Sequence, residues 1–258
     1  MVVISPSLRA RLCGARLGVR LLLALLCLAL NLGPAPLLAA AQAPALADGL
    51  TVLASDADGL TLLLETPAPT VTPSLDEAGR ACALLSIEGG EASAAPGAPA
   101  LPEWGALLGL PPEGAAWLEI LEAEGRDLPG VYYPCPALTQ EVALDLEGLP
   151  VERHTVRRPD LTIYEADAFW PAQPAALDEP GWLRGLRVAR LALHPLQVNP
   201  VSGRARHLAR LVLRVHWEAP AGIAVSAQAA RDAAFEPLYR QALLNWPQAA
   251  AWARPAGD

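Results

Sequence analysis

Lysine is absent from this sequence: all 19 basic residues are arginine. Abundant Ala, Pro, Leu and Gly point the same way, to a GC-rich coding bias without functional weight. Against 27 acidic residues the formal charge is −8. The basic footprint of a sequence-independent phosphate-binding surface is therefore missing, and generic nucleic-acid binding is disfavoured. Catalytic signatures are missing as well. There is no Gly-x-Ser-x-Gly, no phosphate-binding P-loop and no dinucleotide fingerprint, and the residue pattern implies no cofactor. The four histidines, His154, His194, His207 and His216, occur singly. His207 and His216 are nine residues apart on one extended run, hence on opposite faces, which does not suit a metal pair. The carboxylates Glu119, Glu122, Glu124, Asp145 and Glu147 are scattered and read as solvated faces, not as a glycosidase pair.

No apolar run reaches the roughly 20 residues of a spanning helix. The longest, residues 21–30, breaks at Asn31, Gly33 and Pro34. With Arg9, Arg11, Arg16 and Arg20 before or at its start and Ala39-Ala40-Ala41 behind it, the run has the three parts of a secretory signal over residues 1–41. Cleavage is expected after Ala41, giving a secreted chain that begins at Gln42, carries no membrane anchor and, without those four arginines, has a formal charge of −12. Of the four cysteines, Cys13 and Cys27 leave with the signal. Cys82 and Cys135 enter an oxidising compartment, either as one disulfide or as two buried thiols. Neither is set for catalysis. Cys82 lies in an apolar strand, and Cys135 stands between Pro134 and Pro136, where the following residue has no N–H for an oxyanion hole.

What remains is rich in strand and turn signals, and 53% hydrophobic residues are ample for a core. After a short leader, 42–48, the runs 50–53 and 60–64 flank Ser55-Asp56-Ala57-Asp58-Gly59 as a hairpin, with Gly59 expected to supply a positive φ. Asp56-x-Asp58-Gly59 lacks the further ligands of a calcium loop. A strand is expected over 82–87, then a Gly/Ala/Pro surface loop over 89–100, an apolar stretch at 107–110, and a strand over 117–122 in which Trp117 falls with apolar neighbours and reads as core. Val142, Leu144 and Leu146 show period-two spacing. The longest pattern runs from 206 to 217: Leu211, Leu213, Val215 and Trp217 share one face, while Arg206, Arg210, Arg214 and His216 share the other. Its expected partner is 186–193, joined through turns at Asn199-Pro200 and Ser202-Gly203, with a bulge near Ala189-Arg190. Many short strands without βαβ alternation predict an all-β, sandwich-like domain over 49–220. Beyond it, 221–258 reads as a helical linker with Phe235, Leu238, Tyr239, Ala242 and Trp246 on one face, starting near Pro237 and ending before Pro247.

Four stretches together resemble the N-terminal propeptide domain of gingipain-type (family C25) cysteine peptidases. They are Ser55 to Leu62, like the family's first hairpin; Pro96 to Pro102, like its "G-x-P-x-L-P" strand entry; Trp182 to Ala189 with Pro195 to Gly203; and Phe235-Glu236-Pro237-Leu238 with Leu243 to Trp246. Val198 departs from the aromatic common in the family's "Q-Y-N-P" turn, whose Asn199, Pro200 and Gly203 are present. The resemblance implies a non-catalytic β-sandwich prodomain that assists folding of a C25 catalytic domain and blocks its cleft, that domain being the expected partner, in cis beyond residue 258 or in trans. The competing expectation is a stand-alone extracellular β-sandwich module for adhesion or binding. Two features offer themselves for an inhibitory contact: the arginine stripe Arg206, Arg210 and Arg214 as a docking face, and a loop over 150–159 carrying His154, Arg157 and Arg158 to fill the cleft.

Overall fold

The computed structural model describes residues 48–92, 95–144, 150–218 and 235–253. The signal segment, most of the leader and the start of the C-terminal region lie outside them. The strands are, in order, β1 (Leu50–Asp56), β2 (Gly59–Glu65), β3 (Thr70–Leu75), β4 (Ala81–Ser86), β5 (Glu91–Ala92), β6 (Pro102–Leu110), β7 (Ala116–Asp127), β8 (Thr139–Leu144), β9 (Pro150–Val156), β10 (Ala175–Leu177), β11 (Gly181–Leu183), β12 (Leu186–Leu193), β13 (Leu196–Val198) and β14 (Ala205–Trp217). Three short helices complete the described chain: α1 (Leu161–Tyr164), α2 (Glu236–Ala242) and α3 (Trp246–Ala249).

Two antiparallel sheets of five strands share the main core. In the first, β14 is central. β7 runs along one side of it, β2 and β13 divide the other, and β1 lies beyond β2. In the second, β12 is central between β6 on one side and β10 with β11 on the other, and β5 lies beyond β6. The alternating row foreseen on β14, Leu211, Leu213 and Val215, joins Leu60, Leu62 and Leu64 of β2 as one wall of the core. Trp104, Leu108, Leu110, Ala189, Leu191 and Leu193 supply the other. The fold is thus all-β, with the hairpins β3–β4 and β8–β9 beside the two sheets.

Several sequence-based expectations are corrected here. β14 does not pair with 186–193; the chain crosses between sheets from β12 to β13, and β14 takes β7 as its longest neighbour. Nor does β12 carry a bulge, since its register with β6 is continuous from Arg187–Leu110 to Leu193–Trp104. Its apparent change of phase has another cause. Ala189, Leu191 and Leu193 face the main core, whereas Leu186 and Val188 pack on the opposite face against the C-terminal helices. Register shifts lie instead in the β7–β14 pairing, at Leu208/Arg210 and Val212/Leu213, in β1–β2 at Val52/Ala54 and in β8–β9 at Ala143/Leu144.

Gly59 is needed for space and not for a positive φ, because a Cβ there would stand 2.6 Å from the Val215 carbonyl oxygen across the pair. The Asp56 carboxylate closes the turn by accepting from the Asp58 N–H at 3.0 Å. The end of the expected surface loop is interior: Ala98 and Ala100 are buried, and their small side chains let the backbone pack closely. Trp117, by contrast, is 47% exposed and stacks on His216 with ring centroids 5.0 Å apart.

The expected single C-terminal helix is two helices with an extended break. After α2, Leu243 forms a bridge with Leu107, and Leu244 donates to the Leu107 carbonyl at 2.9 Å. Pro247 opens α3 instead of ending α2, as its fixed φ and missing N–H permit in a first turn. The segment also packs as part of the body. Tyr239, Leu243, Trp246 and Ala249 are buried against Leu186, while Leu238 points outward. Asn245 is the pivot: its Oδ1 accepts from the Gly109 N–H at 2.8 Å and its Nδ2 donates to the Gly109 carbonyl at 2.9 Å. Trp252 meets Trp217 edge-on at 5.6 Å, and Gln248 donates to the Asp56 carbonyl.

Candidate functional site

Cys82 of β4 and Cys135 are joined as a disulfide with Cα atoms 4.9 Å apart. The prolines flanking Cys135 explain how the segment threads between two neighbours. Cys135 donates to the Ala83 carbonyl at 2.9 Å on one side and accepts from the Ala100 N–H at 2.9 Å on the other. Pro134 and Pro136 stand where no donor is required. With both cysteines bonded to each other, the described residues hold no free thiol.

The motif Asn199-Pro200-Val201-Ser202-Gly203 is built by its own polar groups. Asn199 Oδ1 accepts from the N–H groups of Val201 and Ser202, each at 3.0 Å, and its Nδ2 donates to Asp167 at 2.8 Å. Gly203 has φ +69°, and a Cβ there would lie 2.3 Å from a Val131 methyl. Gln197, two residues earlier, donates to the Pro171 carbonyl at 2.7 Å, so both polar side chains of the motif anchor the 167–171 segment. Val198 between them is fully buried in the core.

The arginine stripe of β14 is present, but it is not a free cationic band. Arg206 pairs with Asp127 of β7 at 3.4 Å. Arg210 lies between Glu65 of β2 at 3.1 Å and Glu122 of β7 at 3.5 Å. Arg214 places one terminal nitrogen 2.7 and 2.8 Å from the two Asp56 oxygens, and its other reaches Thr61. Arg214 holds the Asp56 carboxyl below its ordinary range, and Arg204, with Arg206, does the same for Asp127. Glu124 is displaced upward, chiefly by the Glu122 carboxylate beside it. The face is a lattice of alternating charges in which Asp56 of β1, Glu65 of β2 and the acids of β7 answer the arginines of β14.

The expected loop over 150–159 is largely strand, because 150–156 form β9 and pair with β8. His154 stands in register opposite Glu141. Arg157 donates to the Pro136 carbonyl at 2.8 Å, and Arg158 is clamped between Glu77, at 2.8 Å, and Glu141. Arg157 and Arg158 stitch the end of the β8–β9 hairpin to the disulfide region and to the turn after β3. The structure does not bring them together with the β14 arginines into one site.

A model of C25 propeptides matches residues 46–251. The chain belongs to the C25 propeptide family. The propeptide fold also resembles that of the complex of RgpB pro- and mature domains from Porphyromonas gingivalis, with a TM-score of 0.59 and 20% identity, covering 78% of this chain and 99% of that one. Gingipain K from the same organism, solved in work on its zymogenic latency, is similar with a TM-score of 0.51 and 16% identity, covering 66% of this chain and 93% of the other. At such identities the likeness is one of fold. Comparison with curated proteins finds no match. Within the propeptide, sequence reasoning missed two polar residues that the fold uses, His207 and Asn245, which are 1% and 3% exposed. His207 was detectable, because it lies in phase with the buried odd-numbered row of β14. Asn245 was not, since a polar residue between Leu244 and Trp246 fits an amphipathic linker equally well.

Proposed function

We propose that this propeptide is a secreted, non-catalytic module that assists the folding of a C25 cysteine peptidase domain and inhibits it until removed. The observation that carries the reading is the family match over 46–251. A fold shared with a prodomain described in complex with its mature domain supports it, as does the use of both mature cysteines in a disulfide. In this reading the β14 arginines are the docking face. Their partners Asp127, Glu65 and Glu122 are surface carboxylates, so the pairs can be exchanged for carboxylates of the catalytic domain at modest cost. Refolding a denatured C25 catalytic domain encoded alongside this chain, with and without the purified propeptide, tests the chaperone role. A higher yield of active-site-titratable peptidase is expected; an equal yield in both samples would refute that role.

Changing Arg206, Arg210 and Arg214 together to Ala is expected to slow association with the catalytic domain and to flatten its salt dependence, read by stopped-flow fluorescence. Because Arg214 is only 20% exposed and bonds both Asp56 and Thr61, the same variant is expected to melt at a lower temperature. Unchanged association at every salt concentration would remove the stripe from the interface.

A stand-alone adhesion module is the second reading, favoured by the exposure of Trp117 and its flat stacking on His216. The other well-exposed tryptophan, Trp182, belongs to the other sheet, so the two do not form the row that a glycan platform requires.

A further inference from the structure

The described residue whose chemistry fits its surroundings least comfortably is His207. It sits where β13, β7 and the end of β2 all meet β14, in register with Leu196 on one side and Arg126 on the other, and it is 1% exposed. Its Nε2 lies 2.9 Å from the Thr66 hydroxyl, which donates its single proton to the Leu208 carbonyl at 3.3 Å. With the hydroxyl accepting from the ring, Nε2 carries the proton and Nδ1 is a bare lone pair; the opposite tautomer would bury an Nδ1–H without an acceptor. Nδ1 is buried and has no hydrogen-bond partner.

A proton added to Nδ1 would create a buried cation whose new N–H has no acceptor. The charged groups on the packed elements do not relieve it. Arg126 of β7 adds repulsion, the neighbouring Asp127 is engaged by Arg204 and Arg206, and Glu65, beside Thr66, is engaged by Arg210. Glu124 of β7 lies beside Glu122 and is not bonded to the ring. β13 contributes Leu196 and the uncharged Gln197. Burial first, and Arg126 second, hold the folded-state pKa of His207 below its usual value. His194 and His216, by contrast, stand beside carboxylates, Glu103 at 3.5 Å and Glu119 at 2.8 Å.

We propose that His207 is an acid-sensitive latch: its protonation places an unpaired cation at the junction of four strands and loosens the first sheet, so that the propeptide opens as the pH falls. The consequence for a bound peptidase rests on the inhibitory reading above; the latch itself does not. The sign follows from linkage. The unfolded chain protonates this histidine near pH 6.5 while the folded chain resists, so stability is complete above that pH and declines below it until the folded ring also takes up its proton. If the folded ring stays neutral, the folding equilibrium constant falls about tenfold from this group between pH 7.5 and 5.5.

The test is urea unfolding of the disulfide-intact protein across pH 7.5 to 5.5, for the wild type and for His207→Gln, whose amide N–H can still reach Thr66 but does not titrate. The wild type is expected to lose about tenfold more in folding equilibrium than the variant over that range; parallel losses would overturn the latch. Should His207→Gln fail to fold, ring nitrogen shifts of the wild type decide. A neutral Nε2–H tautomer at pH 6 supports the latch, and an imidazolium at pH 6.5 or above in the folded protein refutes it. Inhibition of the catalytic domain is measured over the same range. If no inhibition occurs at any pH while the stability difference persists, the inhibitory reading fails and the latch stands.

Discussion

Replacing Cys82 and Cys135 together by Ala is expected to lower the unfolding free energy of this C25 propeptide by about 4 kcal/mol. The two residues are separated by 53 positions. Freeing a closed loop of that length restores to the unfolded chain roughly 4 kcal/mol of conformational freedom at 25 °C, within the 2–5 kcal/mol typical of native disulfides in secreted domains. The 133–137 segment is otherwise held by backbone bonds to Ala83, Ala98 and Ala100 and by side-chain bonds from Tyr164 to the Pro134 carbonyl and from Arg157 to the Pro136 carbonyl, so the loss is expected to come chiefly from the freed unfolded chain. Urea unfolding of the double variant beside the oxidised wild type measures the loss. A shift in midpoint below that of a 1 kcal/mol change would mean that the bridge contributes little in solution.

Asn245→Ala is expected to cost about 2–4 kcal/mol, an unusually large effect for a residue that sequence places in a linker. Two buried backbone groups of Gly109, its N–H and its carbonyl, lose their only side-chain partner at once, and each unsatisfied group costs about 1–3 kcal/mol. The loss should be local before it is global. Amide exchange is expected to accelerate first at Gly109 and along 235–252, with the β2–β14 pairing affected last. Gly109 itself constrains the docking, since a Cβ there would lie 2.3 Å from that of Ala249. Uniform acceleration over the whole protein would show that the C-terminal helices are not a separable layer.

The local half of this structure was legible in the sequence. The β1–β2 hairpin follows from its turn residues, and the inner row of β14 follows from strict alternation of Leu211, Leu213, Val215 and Trp217. What failed was non-local. Strand β12 looked bulged because it is covered on both faces, by the core and by helices some 50 residues later in the sequence, and a single strand cannot announce a second cover. Trp117 looked interior because its neighbours are apolar, yet β7 shifts register at Leu121 and the ring turns outward onto His216. Arg206, Arg210 and Arg214 read as a bare cationic stripe because their carboxylate partners are supplied by other strands. The candidate site was therefore legible as residues and not as chemistry: the arginines, the disulfide cysteines and the Asn199 turn were named, but which groups answer them depended on pairings distant in sequence.

Titration of an active C25 catalytic domain, encoded alongside this chain, with the purified and oxidised propeptide at neutral pH tests the central claim most directly. Peptidase activity is expected to fall to near zero at one equivalent, with recovery when the propeptide is removed or degraded. Full activity in the presence of excess folded propeptide, with no complex detected on size-exclusion chromatography, would contradict it.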